Sequence, residues 1–313
     1  MGRRRSSNRG RNINGVLLLD KPLGMTSNKA LQEVKNLLFA KKAGHTGTLD
    51  PLATGLLAIC FGEATKLSTY IVDSEKHYRA TAQLGVTTAT GDREGDILEE
   101  KPVPAFDKAQ LEAILAKFTG EIMQIPPMYS ALKHEGEPLY KLARQGIVIE
   151  REPRPVTIYS MTLLEITDTT FTVDVICSKG TYIRTLLEDI GAELGCGAHT
   201  SELRRTALGP FTEQDMVTMD SLRDAEQNDR EALNNYVKPI ESALVSWPEV
   251  KLSPDAAYYL RQGQAVTVPH APTSGLVSLF ADGTVFIGVG KILEDGQVAP
   301  KRLLNLSPTE SQD

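Results

Sequence analysis

The feature that most constrains this chain is a glycine-rich segment, residues 44–55, that leads directly into the apolar run 56–61. The segment places an imidazole, His45, and a carboxylate, Asp50, five residues apart. Its glycines allow backbone conformations that a side chain would forbid, and Pro51 fixes the turn directly after the acid. We therefore predict a rigidly held carboxylate that acts as a nucleophile or a base. The alternative is an ordinary turn residue, since aspartate before proline often starts a turn.

Composition excludes several classes of protein. The 313 residues can bury a full core in one large domain or two, and 41% hydrophobic with 24% charged residues is typical of a soluble globular chain. No apolar run approaches the ~20 residues of a membrane helix, and no apolar stretch follows the first arginines as in a secretory signal. The three cysteines, Cys60, Cys177 and Cys196, include no Cys-x-x-Cys pair. They argue against a disulfide scaffold or a zinc site and favour a reducing cytoplasm.

The net charge of −6 hides an uneven distribution. Residues 1–80 contain 13 Lys and Arg against 6 Asp and Glu, whereas residues 211–313 contain 8 against 15. The first third is therefore basic and suits contact with nucleic-acid phosphates, although the arginines near the start can equally form a solvated tail. The five histidines lie far apart, and no phosphate-binding loop or zinc-protease motif is present. We expect neither a metal nor a cofactor.

The order of the predicted elements indicates a mixed core of helices and strands. Residues 1–13 are rich in Arg, Ser, Asn and Gly and are expected to be a basic, disordered tail. A helix cap at Thr26 or Ser27 and a capping box at Asp107 and Gln110 each start a helix. Periodicity predicts strands at 15–19, 56–61, 78–84, 156–166 and 171–177, helices at 63–72 and 182–194, and an exposed loop at 87–100.

The character of the sequence changes near Trp247. A short helix at 254–261 precedes strands whose hairpin turns are predicted at 282–283 and 295–296, each an Asp-Gly pair. We therefore predict a small β-rich second domain after residue 248.

Two further clusters contain residues suited to chemistry. The segment 178–184 lies where a predicted strand ends and a helix begins, so Tyr182 and Arg184 project from the start of that helix. An arginine beside Asp50 would hold the acid ionised and oriented, although a surface arginine on an amphipathic helix is the commoner case. The segment 129–144 mixes tyrosines with Lys and Arg, as a nucleic-acid surface does, but it could equally be a solvated helix.

Taken together, these motifs resemble the TruB family of bacterial tRNA pseudouridine synthases. The match covers nearly the whole chain and runs in order through residues 15–22, 44–55, 129–133, 178–185 and 203–205. Several long motifs in one order are far more specific than any one of them.

The resemblance implies an α+β fold. Its parts are a pseudouridine synthase core, with a mixed, largely antiparallel sheet flanked by helices, and a small C-terminal PUA-like β domain. On this chain the catalytic domain would span residues 14–248, with an RNA-contacting insertion at about 121–155. The PUA-like RNA-binding domain would span residues 249–313.

The resemblance also implies an activity: cofactor-free isomerisation of the T-loop uridine at position 55 of tRNA to pseudouridine, with the base flipped out of the loop. Asp50 matches the family's catalytic aspartate, Arg184 the arginine paired with it, and Tyr78 the tyrosine that stacks on the base and is a candidate for the last deprotonation. The positions expected to contact the RNA or the base are His45, Tyr182, Leu203 and Lys133.

The expected partner is the T-arm of tRNA, and we expect a cytoplasmic monomer that binds no membrane. Two rival functions stay open: an RNA-binding or RNA-folding module with an incidental pocket, and a hydrolase that releases free uracil. A hydrolase often shows a second acid or a metal cluster, and neither is clearly placed in this sequence. The sequence also leaves open whether Asp50 attacks C1′, attacks C6 or deprotonates the ribose.

Overall fold

The alternating and apolar segments of the sequence form strands, most of which pair into one large sheet. The structure is a computed structural model and describes residues 10–305. Its strands are β1 (Gly15–Lys21), β2 (Ala43–Thr46), β3 (Thr54–Phe61), β4 (Lys76–Leu84), β5 (Val86–Thr88), β6 (Ile97–Glu100), β7 (Gly120–Gln124), β8 (Lys133–His134), β9 (Glu137–Pro138), β10 (Arg154–Ile166), β11 (Thr170–Cys177), β12 (Ala198–Leu208), β13 (Phe211–Thr212), β14 (Val217–Thr218), β15 (Glu249–Leu252), β16 (Leu276–Ala281), β17 (Val285–Ile292) and β18 (Val298–Leu303).

Helices connect many of these strands. They are α1 (Ser27–Leu37), α2 (Ser68–Asp73), α3 (Lys108–Lys117), α4 (Leu139–Arg144), α5 (Ile183–Glu193), α6 (Met219–Asn228) and α7 (Pro254–Arg261). Short 3₁₀ helices occur at Gly62–Lys66, Glu213–Asp215, Arg230–Tyr236 and Ile240–Leu244. Within residues 10–305, no helix has the length and apolar character needed to cross a membrane.

The large sheet has the strand order β14-β1-β3-β12-β4-β11-β10-β7, with β2 paired to β3 and β13 paired to β12. Most neighbours are antiparallel, whereas β1 with β14 and β12 with β3 are parallel. The strands β15-β16-β17-β18 form a separate sheet near the C-terminal end. The fold is α+β, as predicted.

Side chains of the large sheet alternate between two apolar cores. On β1, Leu17 and Leu19 enter a core that receives buried residues from α1, α3, α5 and α6. Val16 and Leu18 point to the opposite face and enter a second core, which also contains Phe286 of β17. The C-terminal sheet therefore covers part of one face of the large sheet, and helices cover the other.

Several local predictions are confirmed. The Thr26 hydroxyl accepts a hydrogen bond from the Lys29 N–H at the start of α1. Asp107 and Gln110 form both hydrogen bonds of the capping box, each 2.8 Å long. The helix α7 has the predicted bounds, and β17 is joined to its neighbours by turns at 282–283 and 295–296.

Two parts of the predicted outline are wrong. Residues 87–100 are not simply an exposed loop, because β5 and β6 pair there and Thr88 and Asp92 are buried. The prediction also lacks β12, which lies in the middle of the large sheet. Two irregularities in its pairing with β4, at 200–202 and 205–207, interrupt the alternation by which a strand is recognised.

The predicted tail, residues 1–13, lies mostly outside the described residues. In the part of the tail that is described, Arg11 forms backbone hydrogen bonds with Phe39 (2.7 Å) and Lys41 (3.0 Å). The chain is thus tied to the turn after α1 from Arg11 onward.

Candidate active site

The loop that carries Asp50 is anchored on both sides of the acid. Leu49 and Leu52 are buried. The Ser27 hydroxyl, at the start of α1, accepts a hydrogen bond from the Leu49 N–H and donates one to the Leu49 carbonyl, both 2.8 Å long. Gly47 has a φ of 69°, the left-handed region that favours glycine. The acid therefore sits on a fixed backbone.

Lys21, at the end of β1, supports the same loop. Its Nζ donates hydrogen bonds to the carbonyls of Met25 (2.7 Å) and Pro22 (2.9 Å) and lies 3.5 Å from the carbonyl of Pro51. Burial lowers the pKa of this lysine to about 8, and the charge of Asp50 opposes that shift. Lys21 thus adds a positive charge beside the acid.

Arg184, in the first turn of α5, forms an ion pair with Asp50. The Nε of the arginine lies 3.0 Å from the Oδ2 of the acid. The arginine side chain is 5% exposed, whereas that of Asp50 is 36% exposed. The cation is therefore enclosed by protein, while the carboxylate keeps a face toward the outside.

The other two nitrogens of Arg184 are held by acceptors from distant segments. Its Nη1 donates to the Thr90 carbonyl (2.6 Å) and lies 3.4 Å from Oδ2 of Asp92, and its Nη2 donates to the Tyr129 carbonyl (2.7 Å). Asp92 is buried and accepts a hydrogen bond from the Thr90 hydroxyl at 2.6 Å. Because every nitrogen has a partner, the guanidinium cannot turn away from Asp50 without breaking several charge-assisted contacts.

The charges around Asp50 act in opposite directions on its pKa. Burial raises the pKa of this carboxyl group above its ordinary value, and the negative charge of Asp92 adds to the rise. Arg184 and Lys21 lower it but do not cancel the effect of burial. Arg184 therefore favours the ionised form of the acid, as expected, but burial has the larger effect on the pKa. A carboxylate with a raised pKa is also a stronger base once it is ionised.

One cavity of about 270 Å³ brings most of the predicted residues together. Asp50 and Arg184 line it together with Tyr78, which is turned inward by the alternation of β4. Tyr182 and Leu203 line the same cavity. Residues that are 150 positions apart in the sequence thus share one site.

Gln124 fixes the backbone of Tyr182 where α5 begins. The amide of Gln124 donates to the Tyr182 carbonyl (3.0 Å) and accepts from the Tyr182 N–H (2.8 Å). Gln124 is itself buried at the end of β7. This pair connects the start of the predicted RNA-contacting insertion to the wall of the cavity.

Arg205 is a fully buried cation that borders the cavity. Its Nε donates to the Leu56 carbonyl (2.7 Å) and its Nη2 to the Gly47 carbonyl (2.9 Å), so it ties β12 to the loop of the acid. Burial raises the pKa of the Tyr78 hydroxyl, and the neighbouring Arg205 opposes that rise.

The cavity does not include two of the predicted residues. His45 lies on β2, and its Nδ1 is buried without a hydrogen-bond partner among residues 10–305. Burial lowers its pKa, so the neutral ring is favoured. Lys133 is exposed on the small hairpin formed by β8 and β9. Both residues could contact only a ligand that extends beyond the cavity.

Sequence reasoning missed several charged residues of the site, among them Asp92, Arg205 and Lys76. Asp92 is one of several acids in a polar segment, and nothing in that segment distinguishes it. The other two had an available signal, because Lys76 precedes Tyr78 by two positions and Arg205 follows Leu203 by two. On a strand, that spacing places each cation on the same face as its neighbour.

The arrangement can bring a flat group against Tyr78 while it presents the Asp50 carboxylate to an adjacent atom. The acid can attack an electrophilic carbon or remove a proton, and the buried cations can stabilise negative charge that develops nearby.

Models of one protein family match most of the chain. The model described as TruB family pseudouridylate synthase (N terminal domain) matches residues 35–183. Two further models match residues 184–245, tRNA pseudouridylate synthase B C-terminal domain, and residues 248–304, Pseudouridine synthase II TruB, C-terminal.

Curated proteins named tRNA pseudouridine synthase B are similar to this chain over nearly its whole length. The protein of Nitrosococcus oceani is 53% identical over 295 residues, which is 94% of this chain and 96% of the relative. Those of Pseudomonas fluorescens and Coxiella burnetii are 55% and 54% identical with the same coverage.

Two solved structures are similar in fold. A chain from the structure of an H/ACA RNP bound to a substrate RNA containing 2′-deoxyuridine has a TM-score of 0.71 and 26% identity, with 93% of this chain and 85% of that chain covered. A chain from the crystal structure of a Cbf5-Nop10-Gar1 complex has a TM-score of 0.71 and 28% identity, with 94% and 84% covered.

Proposed function

The chain belongs to the TruB family of pseudouridylate synthases, and we infer that it is the isomerase that converts uridine 55 in the T loop of tRNA to pseudouridine. The observation that carries this proposal is the ion pair of Asp50 with Arg184 at the wall of the cavity that Tyr78 lines. The isomerisation needs a group that starts cleavage of the glycosidic bond and a surface that retains the freed base. In the cavity, Asp50 is the group that can start the cleavage, and Tyr78 is the surface that can retain the base.

The reaction breaks the N1–C1′ bond, turns the uracil in place and joins C5 to C1′. The electron pair of the broken bond stays with the uracil, the proton on C5 is released once the new bond has formed, and N1 takes up a proton. Atoms and oxidation state are unchanged overall. Asp50 acts at the ribose or the base to start the cleavage, and Arg184 keeps its carboxylate in one orientation.

Tyr78 retains the base during this exchange. Flipping a nucleotide out of a folded loop costs a few kcal/mol, and stacking on an aromatic ring returns about 1–3 kcal/mol per base. The Tyr78 oxygen is our candidate for the group that accepts the C5 proton. It does so as the phenolate, which Arg205 stabilises against the effect of burial. Tyr182 and Leu203 complete the walls of the base pocket.

The rest of the tRNA would contact surfaces beyond the cavity. The insertion at 121–155 exposes Lys133 and places Arg144 over the ring of Tyr140, at 5.6 Å from the ring centre. We assign His45 and this insertion to contacts with the T-arm, with residues 14–248 as the catalytic domain and 249–313 as a PUA-like RNA-binding domain. The protein would act as a monomer in the cytoplasm.

The decisive experiment is tritium release from T-arm RNA labelled at C5 of the target uridine. We expect release by the wild-type protein and by Asp220→Ala, which removes an exposed carboxylate on α6. We expect none by Asp50→Ala, although that variant should bind the RNA with nearly unchanged affinity because the role of Asp50 is chemical.

The rival functions give different results. Intact binding without release by the wild type would indicate an RNA-binding module, and free uracil in the products would indicate a hydrolase. An active Asp50→Ala variant would contradict the assignment of the acid.

A further inference from the structure

Lys76 is a buried ammonium group in the cavity that the mechanism above leaves unused. It is the first residue of β4 and lies two positions before Tyr78, so both side chains point to the inner face of the strand. Both residues line the cavity, and Lys76 is only 7% exposed.

Two carbonyl groups hold the lysine in place. Its Nζ donates to the carbonyls of Val72 and Ser74, both at 2.7 Å, at the end of α2. An ammonium group has three N–H donors. Within residues 10–305 these two carbonyls are its hydrogen-bond partners, so one donor is left for a ligand in the cavity.

The strand register places Lys76 farther from the Asp50 loop than Tyr78. On β12, Arg205 pairs with Tyr78 and also with Gly55, just after that loop, whereas Lys76 pairs with Leu208. The charged side chains that act most on the pKa of Lys76 are those of Arg205 on β12, Asp73 at the end of α2 and Lys179 after β11. Those that most affect Asp50 are instead Arg184, Asp92 and Lys21. Tyr78 is affected by members of both groups, Arg205 and Asp50. The tyrosine therefore lies between the lysine and the carboxylate.

A uracil stacked on Tyr78 with its ribose toward Asp50 would direct its far edge to Lys76. That edge carries the O4 carbonyl, which accepts hydrogen bonds, whereas cytosine has an amino group there that donates them. When the N1–C1′ bond breaks, the negative charge left on the ring spreads to its carbonyl oxygens.

We propose that Lys76 is a substrate-contacting residue that donates a hydrogen bond to a carbonyl oxygen of the target uracil, so that it selects uracil over cytosine and stabilises the charge of the detached base. No proton is transferred in this contact. The proposal rests on the proposed function, because it takes the flipped uridine as the ligand.

The first test is the rate of a single turnover on T-arm RNA. Lys76→Met keeps most of the length of the side chain and removes its charge and donors. We expect a rate about 100- to 1,000-fold lower, as when one donor to a developing anion is removed elsewhere. Lys108→Met, which changes an exposed lysine on α3, should leave the rate unchanged.

A second test separates this contact from a role in holding α2. T-arm RNAs with uridine or cytidine at the target position are bound to Asp50→Ala and to Asp50→Ala/Lys76→Met proteins. With Lys76 present, we expect the uridine RNA to bind about tenfold or more tightly than the cytidine RNA. With methionine, the ratio should approach one. A lysine that only holds α2 would weaken both RNAs equally and leave the ratio unchanged.

The pH profile of kcat/KM gives a third, independent readout, which also covers a Lys76→Met protein that fails to fold. Burial lowers the pKa of Lys76 to about 8, and Arg205 and Lys179 act in the same direction while Asp73 and Cys177 oppose it. The wild-type profile should therefore fall above about pH 8. Lys21 has a similar pKa, so both lysines contribute to this fall. Lys76→Arg stays charged and should make the fall shallower, leaving only the part due to Lys21.

An unchanged profile in Lys76→Arg, or a rate within about threefold of wild type in a folded Lys76→Met, would overturn the proposal. Because the wild-type protein would still form pseudouridine, either result would leave the proposed function in place.

Discussion

At the scale of single residues, the position of the Asp50 carboxylate depends on a chain of contacts that ends in the protein interior. Arg184 contacts the acid, and Asp92 and the carbonyls of Thr90 and Tyr129 hold the arginine. The side chain of Asp92 is 6% exposed, so its charge is poorly screened by water. Asp92 is therefore a positioning residue that acts on the acid through Arg184.

Asp92→Asn should lower the maximal rate and move the acid limb of the pH profile to lower pH. The rate should fall about 10- to 100-fold, because a hydrogen bond to a charged group contributes about 1.5–3 kcal/mol. The negative charge of Asp92 raises the pKa of Asp50, so its removal lowers that pKa and Asp50 stays ionised in more acidic solution. Single-turnover rates between about pH 4 and 8 would measure both effects.

Asp96→Asn is the matched control, since Asp96 is exposed in the same turn. An Asp92→Asn protein with a normal rate and an unshifted acid limb would show that Arg184 needs only its carbonyl partners.

At the scale of elements, the turn between β5 and β6 is the part of the site that the sequence describes least well. Its polar composition resembles that of a solvated loop, yet it supplies both the Thr90 carbonyl and Asp92 to Arg184. Gly91, between them, has a φ of 71°, and a Cβ there would lie 2.8 Å from the carboxyl group of Glu188 on α5. The turn therefore packs against the same helix that carries Arg184.

Gly91→Ala should lower the rate of pseudouridine formation at least tenfold, because the strained turn would shift the acceptors of Arg184. Gly263→Ala is the matched control: it imposes the same left-handed conformation, with a φ of 86°, but its Cβ would meet nothing within 4 Å. Both variants should lose a similar, small amount of stability, about 1–2 kcal/mol. Equal rates for the two proteins, with equal melting temperatures, would show that the turn does not position Arg184.

Elements that depend on local chemistry could be predicted from the sequence, whereas elements that depend on tertiary contacts could not. Caps and turn pairs such as Asp107 with Gln110 act through local chemistry, so the sequence alone is enough to locate them. The strand β12 instead combines charged residues with two irregular pairings, and it holds the charge of Arg205 in the interior. Only the tertiary partners of Arg205, the carbonyls of Gly47 and Leu56, make that burial possible.

The residues of the site also fall into those that the sequence predicts and those that it does not. The loop of Asp50 and the start of α5 are continuous motifs, and the structure places Asp50, Tyr78 and Arg184 in one cavity, as the resemblance implies. Asp92 reaches the site only through the folding of the polar turn between β5 and β6. No local pattern in the sequence carries that information.

At the scale of the whole molecule, the C-terminal sheet is joined to the large sheet by a shared core. Phe286 of β17 is buried in the same cluster as Val16 and Leu18 of β1. Around this core, the rings of Tyr70 and Trp247 meet edge to face with 5.0 Å between their centres. We infer that the two sheets unfold together rather than as separate units.

Phe286→Ala tests this inference by calorimetry. Truncation of a buried phenylalanine costs about 3–5 kcal/mol, so the melting temperature should fall markedly. The comparison is Leu260→Ala on α7, which truncates a residue in a separate core of the C-terminal sheet alone. If the molecule unfolds as one unit, the wild type shows a single transition and both variants shift that transition as a whole. Two resolved transitions, of which Leu260→Ala lowers only one, would show that the large sheet keeps its structure without the C-terminal sheet.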